Sequence, residues 1–245
     1  MAFSRELAPD RAPEGDALTE AMAGIGMRFA AAAAREPNIE DTLWFAAAEA
    51  MERSDLRVMA MLVSWFGVHH GWVNADRLTK LVSARGSERV GAWWAALASW
   101  QASDRRYARL AGRYRGARLD LAAGAEFQVR RHGEDPRFAG SCLRVPANLL
   151  RDRAGDIASP EELATQHRTY RCRVMMGASY RADCWAALEA EPGLSAAELA
   201  RRTYAAFATA WQVKRDFAIA GRVAGASRAT DGGRAGRRAR RAAGR

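Results

Sequence analysis

Apolar residues recur at steps of three and four along much of the first hundred residues, which is the spacing of one face of an α-helix. The clearest case is the segment SDLRVMAMLVSWFGVHH, residues 54–70. Its apolar face consists of Leu56, Met59, Leu62, Val63 and Phe66. We expect a helix that opens at Ser54 and packs this face against a core.

The segments around it predict further helices. An Ala- and Met-rich stretch from Leu18 to Arg35 is expected to be helical up to Pro37. Asn38, Asn74 and Ser87 each precede an apolar segment, where their side chains can accept hydrogen bonds from the free amides of a first helical turn.

A shorter helix is predicted after Asp104, and these helices together predict an all-α domain over residues 18–118. Trp93, Trp94 and Trp100 fall at helical spacing, which favours core and rim positions over a platform on which bases stack.

The pattern changes in residues 119–158, which we assign to a β-hairpin and a connector. The runs EFQVRR and SCLRVP alternate partly between apolar and polar residues and flank the turn-rich segment HGEDPRFAG. A hairpin from Glu126 to Val145 is therefore predicted. Arg130, Arg131 and Arg137 lie near its tip, where they either touch phosphate as a wing would or remain solvated and blunt an exposed edge.

The C-terminal third predicts a helical domain over residues 159–223. It begins with a short helix that Ser159 caps and continues with three further helices. The first of these three is expected from about Tyr180 to Glu189. The second opens with a capping box, in which Ser195 accepts from a backbone amide and Glu198 reaches back. The third is expected from about Ala206 to Ile219, and Gly221 is expected to end it.

Charge is concentrated at the end of the chain. The formal net charge is +10, and residues 222–245 contain eight Arg and one Asp, so this segment alone carries +7. We expect residues 1–17 and 224–245 to be disordered, because neither has an apolar pattern. The arginine-rich tail either binds nucleic acid or is a solvated end.

The composition argues against several other classes of protein. No apolar stretch approaches the roughly 20 residues of a membrane span, and no signal peptide is evident, so a cytoplasmic location without membrane partners is expected. The three cysteines and four histidines show no metal-ligand spacing, and no cofactor or catalytic motif is present. His69 and His70 are expected to sit at a helix C-terminus, one near the helix dipole and one in solvent.

The C-terminal motif resembles a known family. The residues that carry the resemblance are Leu194, Ser195, Glu198, Leu199, Ala200, Arg201, Arg202, Thr209, Ala210, Val213, Phe217, Gly221, Arg222 and Val223. In this spacing, over about 45 residues, the chain resembles the helix-turn-helix of bacterial winged-helix regulators.

The resemblance implies that the third helix enters the major groove of DNA. The recognition positions would then be Phe207, Ala208, Trp211, Gln212 and Arg215. Two features depart from the pattern. Tyr204 stands where the turn normally has Gly, and because Tyr resists positive φ the turn is expected to be longer or differently shaped. Phe207 and Trp211 replace the polar readers that the family pattern implies.

The sequence thus predicts a mostly α-helical, non-enzymatic bacterial DNA-binding protein, a transcriptional regulator whose partner is double-stranded DNA. Gln212 and Arg215 would read bases. The phosphate contacts would come from Arg201, Arg202, Lys214, Arg215 and the tail.

Two alternatives remain open. In the first, a degenerate helix-turn-helix presents Phe207 and Trp211 to a dimer mate, to another protein as an antitoxin-like or accessory subunit, or to the N-terminal domain. In the second, the chain is an enzyme whose pocket converges on His69, His70 or His132.

Overall fold

The computed structural model describes residues 13–85 and 87–221 of the 245-residue chain. The described residues are mostly helical, as predicted, and also contain a small two-stranded parallel sheet. They separate into two compact units, divided between Ser179 and Tyr180. The predicted disordered segments lie largely outside the described residues.

The first unit, residues 13–179, consists of helices, two short strands and connecting loops of varied length. Its α-helices are α1 (Gly15–Gly24), α2 (Ile39–Glu52), α3 (Leu56–His69), α4 (Ala75–Ala84), α5 (Glu88–Trp100), α6 (Ala108–Ala111), α7 (Ala125–His132), α8 (Pro160–Gln166) and α9 (Arg168–Met176). Turns of 3-10 helix occupy His70–Trp72, Arg105–Tyr107 and Ala154–Asp156. The strands are β1 (Leu119–Asp120) and β2 (Leu143–Arg144).

Helices α3 and α5 lie in the core of this unit. Trp65 and Phe66 of α3 and Trp93 and Trp94 of α5 are fully buried, which confirms the core positions predicted for the two α5 rings. The Phe66 ring meets the Trp94 ring in an edge contact, with centroids 5.8 Å apart. Burying side chains of this size contributes roughly 1.5–3 kcal/mol each, so these helices supply much of the stabilisation of the unit.

Three predicted helix starts are confirmed by their caps. The side chains of Asn38, Asn74 and Ser87 accept hydrogen bonds from the amides of Asp41, Arg77 and Val90.

Helix α8 has a complete capping box, because Ser159 accepts from the Glu162 amide while the Glu162 carboxylate accepts from the Ser159 amide. Helix α3 is the exception to the predicted starts. Asp55 caps it, and Ser54 precedes it with a φ of 55°.

Helix α1 is shorter at its C-terminal end than predicted. It ends at Gly24, and the chain then pairs with a distant segment through a bridge between Met27 and Ile157. The Ala158 amide donates to the Gly26 carbonyl at 2.8 Å. These long-range bonds replace the helix that the Ala-rich stretch favours by propensity. At the other end of α1, residues 15–17 are helical instead of disordered.

The predicted β-hairpin is wrong. Residues of its first strand form helix α7, which lies between Gly124 at φ 72° and Gly133 at φ 85°. The two strands are parallel, with Leu119 opposite Leu143 and Asp120 opposite Arg144. The wing interpretation therefore fails, since Arg130 and Arg131 lie on α7 and Arg137 is bound to Asp135 with its Nε 2.9 Å from Oδ1.

The second unit begins at Tyr180 and not at residue 159, because α8 and α9 contribute buried residues to the first unit. It contains α10 (Tyr180–Ala190), α11 (Ala196–Thr203) and a third helix, α12, over 207–221 of the described residues. Gly221, which we expected to end α12, is helical and is the last described residue. The buried cluster of this unit consists of Cys184, Leu188, Leu194, Leu199, Ala205, Ala210 and Val213.

Among the described residues, no helix combines the length and apolar character needed to cross a membrane.

Candidate nucleic-acid interface

The connection between α11 and α12 is a three-residue turn, residues 204–206. Tyr204 ends α11 in the left-handed conformation, with φ 57° and ψ 18°. The expectation of a longer or differently shaped turn is therefore wrong: Tyr adopts the backbone conformation that Gly usually supplies. A helix, a turn of three or four residues and a second helix is the local geometry of a helix-turn-helix.

Small apolar residues fix the second helix of this motif against the first. Ala205 of the turn and Ala210 and Val213 of α12 are buried with Leu199 of α11. Lys214, which we expected to contact phosphate, donates from its Nζ to the Leu194 carbonyl. The motif is thus held by a few close contacts, and Lys214 serves this packing.

The opposite side of α12 exposes large apolar side chains. Phe207 is 54% exposed, Trp211 51% and Ile219 46%. Arg215 continues this i, i+4 row, with its guanidinium carbon 5.6 Å from the centroid of the Trp211 ring. We call Phe207, Trp211, Arg215 and Ile219 the aromatic stripe.

The hydrogen-bonding side chain next to the stripe is already engaged. Gln212 donates from Nε2 to Asp216 Oδ1 at 3.0 Å, and Arg181 of α10 donates to Asp216 Oδ2, also at 3.0 Å. The hydrogen bond from Arg181 holds the pKa of Asp216 below its usual value, and the Gln212 bond acts in the same direction. The bond to Asp216 fixes the direction of the Gln212 amide, while its second Nε2 hydrogen and its Oε1 stay available to other groups.

The two arginines predicted to hold phosphate are exposed but paired with acids on their own unit. Arg202 donates to Glu198 Oε1 and to Glu191 Oε2, both at 2.7 Å, and Arg201 pairs with Glu198. Ser195 accepts from the Glu198 amide as predicted, while the Glu198 carboxylate binds these arginines instead of completing a capping box. Exposed pairs of this kind contribute little stability, so phosphate can compete for both arginines.

The described part of the second unit is electrically balanced. Residues 180–221 contain five bases and five acids. The bases are Arg181, Arg201, Arg202, Lys214 and Arg215; the acids are Asp183, Glu189, Glu191, Glu198 and Asp216. The net positive charge of residues 180–245 therefore comes from residues 222–245, which lie outside the described residues.

Both ring nitrogens of His69 are engaged by neighbouring groups in the interior of the first unit. His69 is fully buried, with Nε2 3.0 Å from the Ala158 carbonyl oxygen and Nδ1 2.7 Å from the Tyr170 hydroxyl. A neutral ring that donates from Nε2 and accepts at Nδ1 fits these contacts. Burial lowers the pKa of His69 to about 4, against the smaller opposite effect of the Ala158 carbonyl. His70, the other histidine at this helix end, is half-buried.

An open cavity of about 800 Å³ lies elsewhere in this unit, and its lining includes Ser64, Trp100, Arg137 and Asp152 but no histidine. Within the part of the chain that the structure describes, no group of three or more His, Cys, Asp or Glu residues is placed to hold a metal ion.

The sequence did not point to two groups of residues that the structure brings together. Asp216 joins α10 to α12, and the i, i+4 spacing of Gln212 and Asp216 is the local signal for half of this contact. A buried network in the first unit links Glu40 to Arg173 and Asp41 to Arg77. These partners are 133 and 36 residues apart, so no local pattern indicates them.

Comparison with known proteins adds no relative: no protein-family model, curated protein or solved structure matches the chain.

Proposed function

We propose that this protein binds duplex DNA through α11 and α12 and acts as a transcriptional regulator of the helix-turn-helix type. The observation that carries the proposal is the connection between these helices, a three-residue turn opened by Tyr204 in the left-handed conformation. In this proposal α12 is the recognition helix, because the second helix of such a motif enters the major groove. The proposal contains no wing, since the predicted wing is helical.

Affinity is divided between two parts of the chain. Arg201 and Arg202 exchange their carboxylate partners for phosphates and set the position of the motif, while the arginines of residues 222–245 supply sequence-independent attraction. Each phosphate contact that releases a counterion steepens the slope of log affinity against log salt by about 0.9. A tail with eight Arg therefore dominates the salt dependence.

Retention of a labelled duplex at 50 and 200 mM salt tests the proposal. The full chain should bind at low salt and lose affinity steeply. Replacing the eight tail arginines with Gln should flatten the slope by several units. Arg201→Gln with Arg202→Gln should weaken binding further, whereas the charge-matched control Arg53→Gln with Arg57→Gln, in exposed positions of the first unit, should not. A full chain that fails to retain duplex DNA at 50 mM salt contradicts the proposal.

A second candidate is a protein-interaction module, favoured by the balanced charge of residues 180–221 and by the exposed aromatic stripe. Trp and Arg are the residues that most often carry binding energy in protein interfaces. If this function is the correct one, Trp211→Glu removes a concentration-dependent dimer or a complex with a partner. Light scattering over a concentration series measures the dimer, and duplex DNA retention is then the same in both chains.

A further inference from the structure

The first turn of α12 presents mainly apolar groups to any surface that it meets. Phe207 and Ala208 are exposed, Thr209 is half-buried, and Trp211 follows one turn later. In helix-turn-helix proteins the N-terminal residues of the recognition helix contact the base edges. The residues in the reading positions of this chain therefore offer methyl, ring and small apolar surfaces.

The side chains of α12 best suited to hydrogen bonds with bases are held by neighbours. Gln212 donates to Asp216, Lys214 donates to the Leu194 carbonyl, and Arg215 lies over the Trp211 ring. Each side chain keeps further donors, but a base contact that turns it away from its neighbour loses the contact that it already makes. Apolar contact by Phe207 and Ala208 needs no such rearrangement, since both side chains are exposed.

One apolar group distinguishes base pairs in the major groove: the C5 methyl of thymine. Phe, Ala and the Thr methyl are the side chains that contact it in known readout, and Phe207, Ala208 and Thr209 are consecutive at the start of α12. We propose that α12 selects duplexes that carry a methyl group at pyrimidine C5, with Phe207 and Ala208 as the specificity-determining residues. This inference rests on the proposed function.

The inference makes uracil and thymine different ligands, although both pair with adenine. It also makes 5-methylcytosine resemble thymine, because the added methyl occupies the same place in the groove. Burial of one methyl-sized group corresponds to about four-fold in affinity, and several methyls in one footprint multiply this factor.

Fluorescence anisotropy of the full chain tests the inference, at 150 mM salt so that the tail contributes less. The probes are the alternating duplexes poly(dA-dT), poly(dA-dU), poly(dG-dC) and poly(dG-5-methyl-dC). We expect poly(dA-dT) to bind at least four-fold more tightly than poly(dA-dU), and poly(dG-5-methyl-dC) at least four-fold more tightly than poly(dG-dC). Since the methyl group is what both comparisons share, a general effect of base composition cannot produce the two results together.

Two variants separate direct contact from altered DNA shape. Phe207→Gln and Ala208→Gln should each reduce the methyl preference toward unity while the duplexes are still retained, and thermal unfolding should confirm that both variants fold. Arg202→Gln, the matched control, should weaken all four duplexes by one factor.

Equal affinity of the wild-type chain for the thymine and uracil duplexes overturns the inference and leaves the proposed function standing. A preference that persists in both variants also overturns it. Absence of binding to all four duplexes, with no retention at 50 mM salt, overturns the proposed function as well.

Discussion

Glu40 of α2 and Arg173 of α9 form a two-point ion pair in the interior of the first unit. Arg173 donates to Oε1 at 2.6 Å and to Oε2 at 3.0 Å, and the exposed fractions of the two side chains are 0% and 1%. Burial alone raises the pKa of Glu40, but the charge and hydrogen bonds of Arg173 outweigh it and hold this pKa below its usual value. Glu40 also accepts from the Asn74 amide at 2.8 Å, so one carboxylate ties together α2, α9 and the start of α4.

Removing one partner leaves the other charge buried and uncompensated. We therefore expect Glu40→Gln to lower the free energy of unfolding by about 3–5 kcal/mol. Glu52→Gln, at the exposed end of the same helix, should change it by less than about 0.5 kcal/mol. Urea unfolding of both variants measures the difference. If Glu40→Gln is as stable as Glu52→Gln, the buried ion pair does not stabilise the fold.

His69 predicts a loss of stability in acid. Above pH 6.5 the ring is neutral in both the folded and the unfolded chain, so it makes no pH-dependent contribution. Between pH 6.5 and about 4 the unfolded chain binds a proton that the folded chain excludes, and stability falls as the pH falls. The expected loss is about 3 kcal/mol, at roughly 1.4 kcal/mol per pH unit.

The measurement is the unfolding free energy from urea titrations at several pH values between 4 and 7. His69→Gln should reduce the slope of unfolding free energy against pH by the contribution of one proton, roughly 1.4 kcal/mol per pH unit. His132→Gln, at an exposed position, should leave this slope unchanged. Parallel slopes for the wild type and His69→Gln show that this ring is not the group responsible.

The left-handed conformation of Tyr204 predicts an unusual order of stability among substitutions at this position. Asn tolerates the left-handed conformation, whereas a β-branched side chain resists it strongly. Tyr204→Val should therefore be less stable than Tyr204→Asn by about 1–2 kcal/mol, although Val is the more apolar residue. Thermal unfolding of the two variants gives the order, and a more stable Val variant contradicts the conformation described for the turn.

Two helical glycines in the first unit differ in the space around them. A Cβ on Gly91 of α5 meets nothing within 4 Å, so Gly91→Ala should stabilise the chain by about 0.5–1 kcal/mol through helix propensity. A Cβ on Gly67 of α3 would lie 2.9 Å from Cη2 of Trp100. Gly67→Ala should therefore lose that gain or be destabilised, as measured by urea unfolding of the pair. A similar gain in both variants shows that the Trp100 ring moves aside without cost.

Local chemistry accounts for what the sequence predicted well. Asn38, Asn74, Ser87 and Ser159 each accept from the amide three residues away, so their caps are independent of the rest of the fold. The predicted hairpin is wrong, and a local signal in the sequence already favoured a helix there. Glu126 and Arg130 have helical i, i+4 spacing and lie 3.7 Å apart, and the bases at the end of α7 favour a helix C-terminus.

Contacts between distant parts of the chain were not predictable from the sequence. Two-residue strands such as Leu119–Asp120 carry no period, and the pairing of Met27 with Ile157 overrides a helix-forming Ala run. The same holds for the candidate site. The sequence identified α12 and its aromatic residues, but it did not show that Gln212 and Lys214 already bind neighbours.

The charge at one edge of α12 depends on a single side chain, that of Asp216. It accepts from Gln212 and Arg181 and lies 3.8 Å from Arg215, so one carboxylate restrains three side chains at the edge of α12. Its replacement by Asn would change the charge of residues 180–221 from zero to +1 and remove the negative charge that Arg181 and Arg215 face. A single substitution at this edge would therefore change the charge of α12 without touching the buried cluster of the unit.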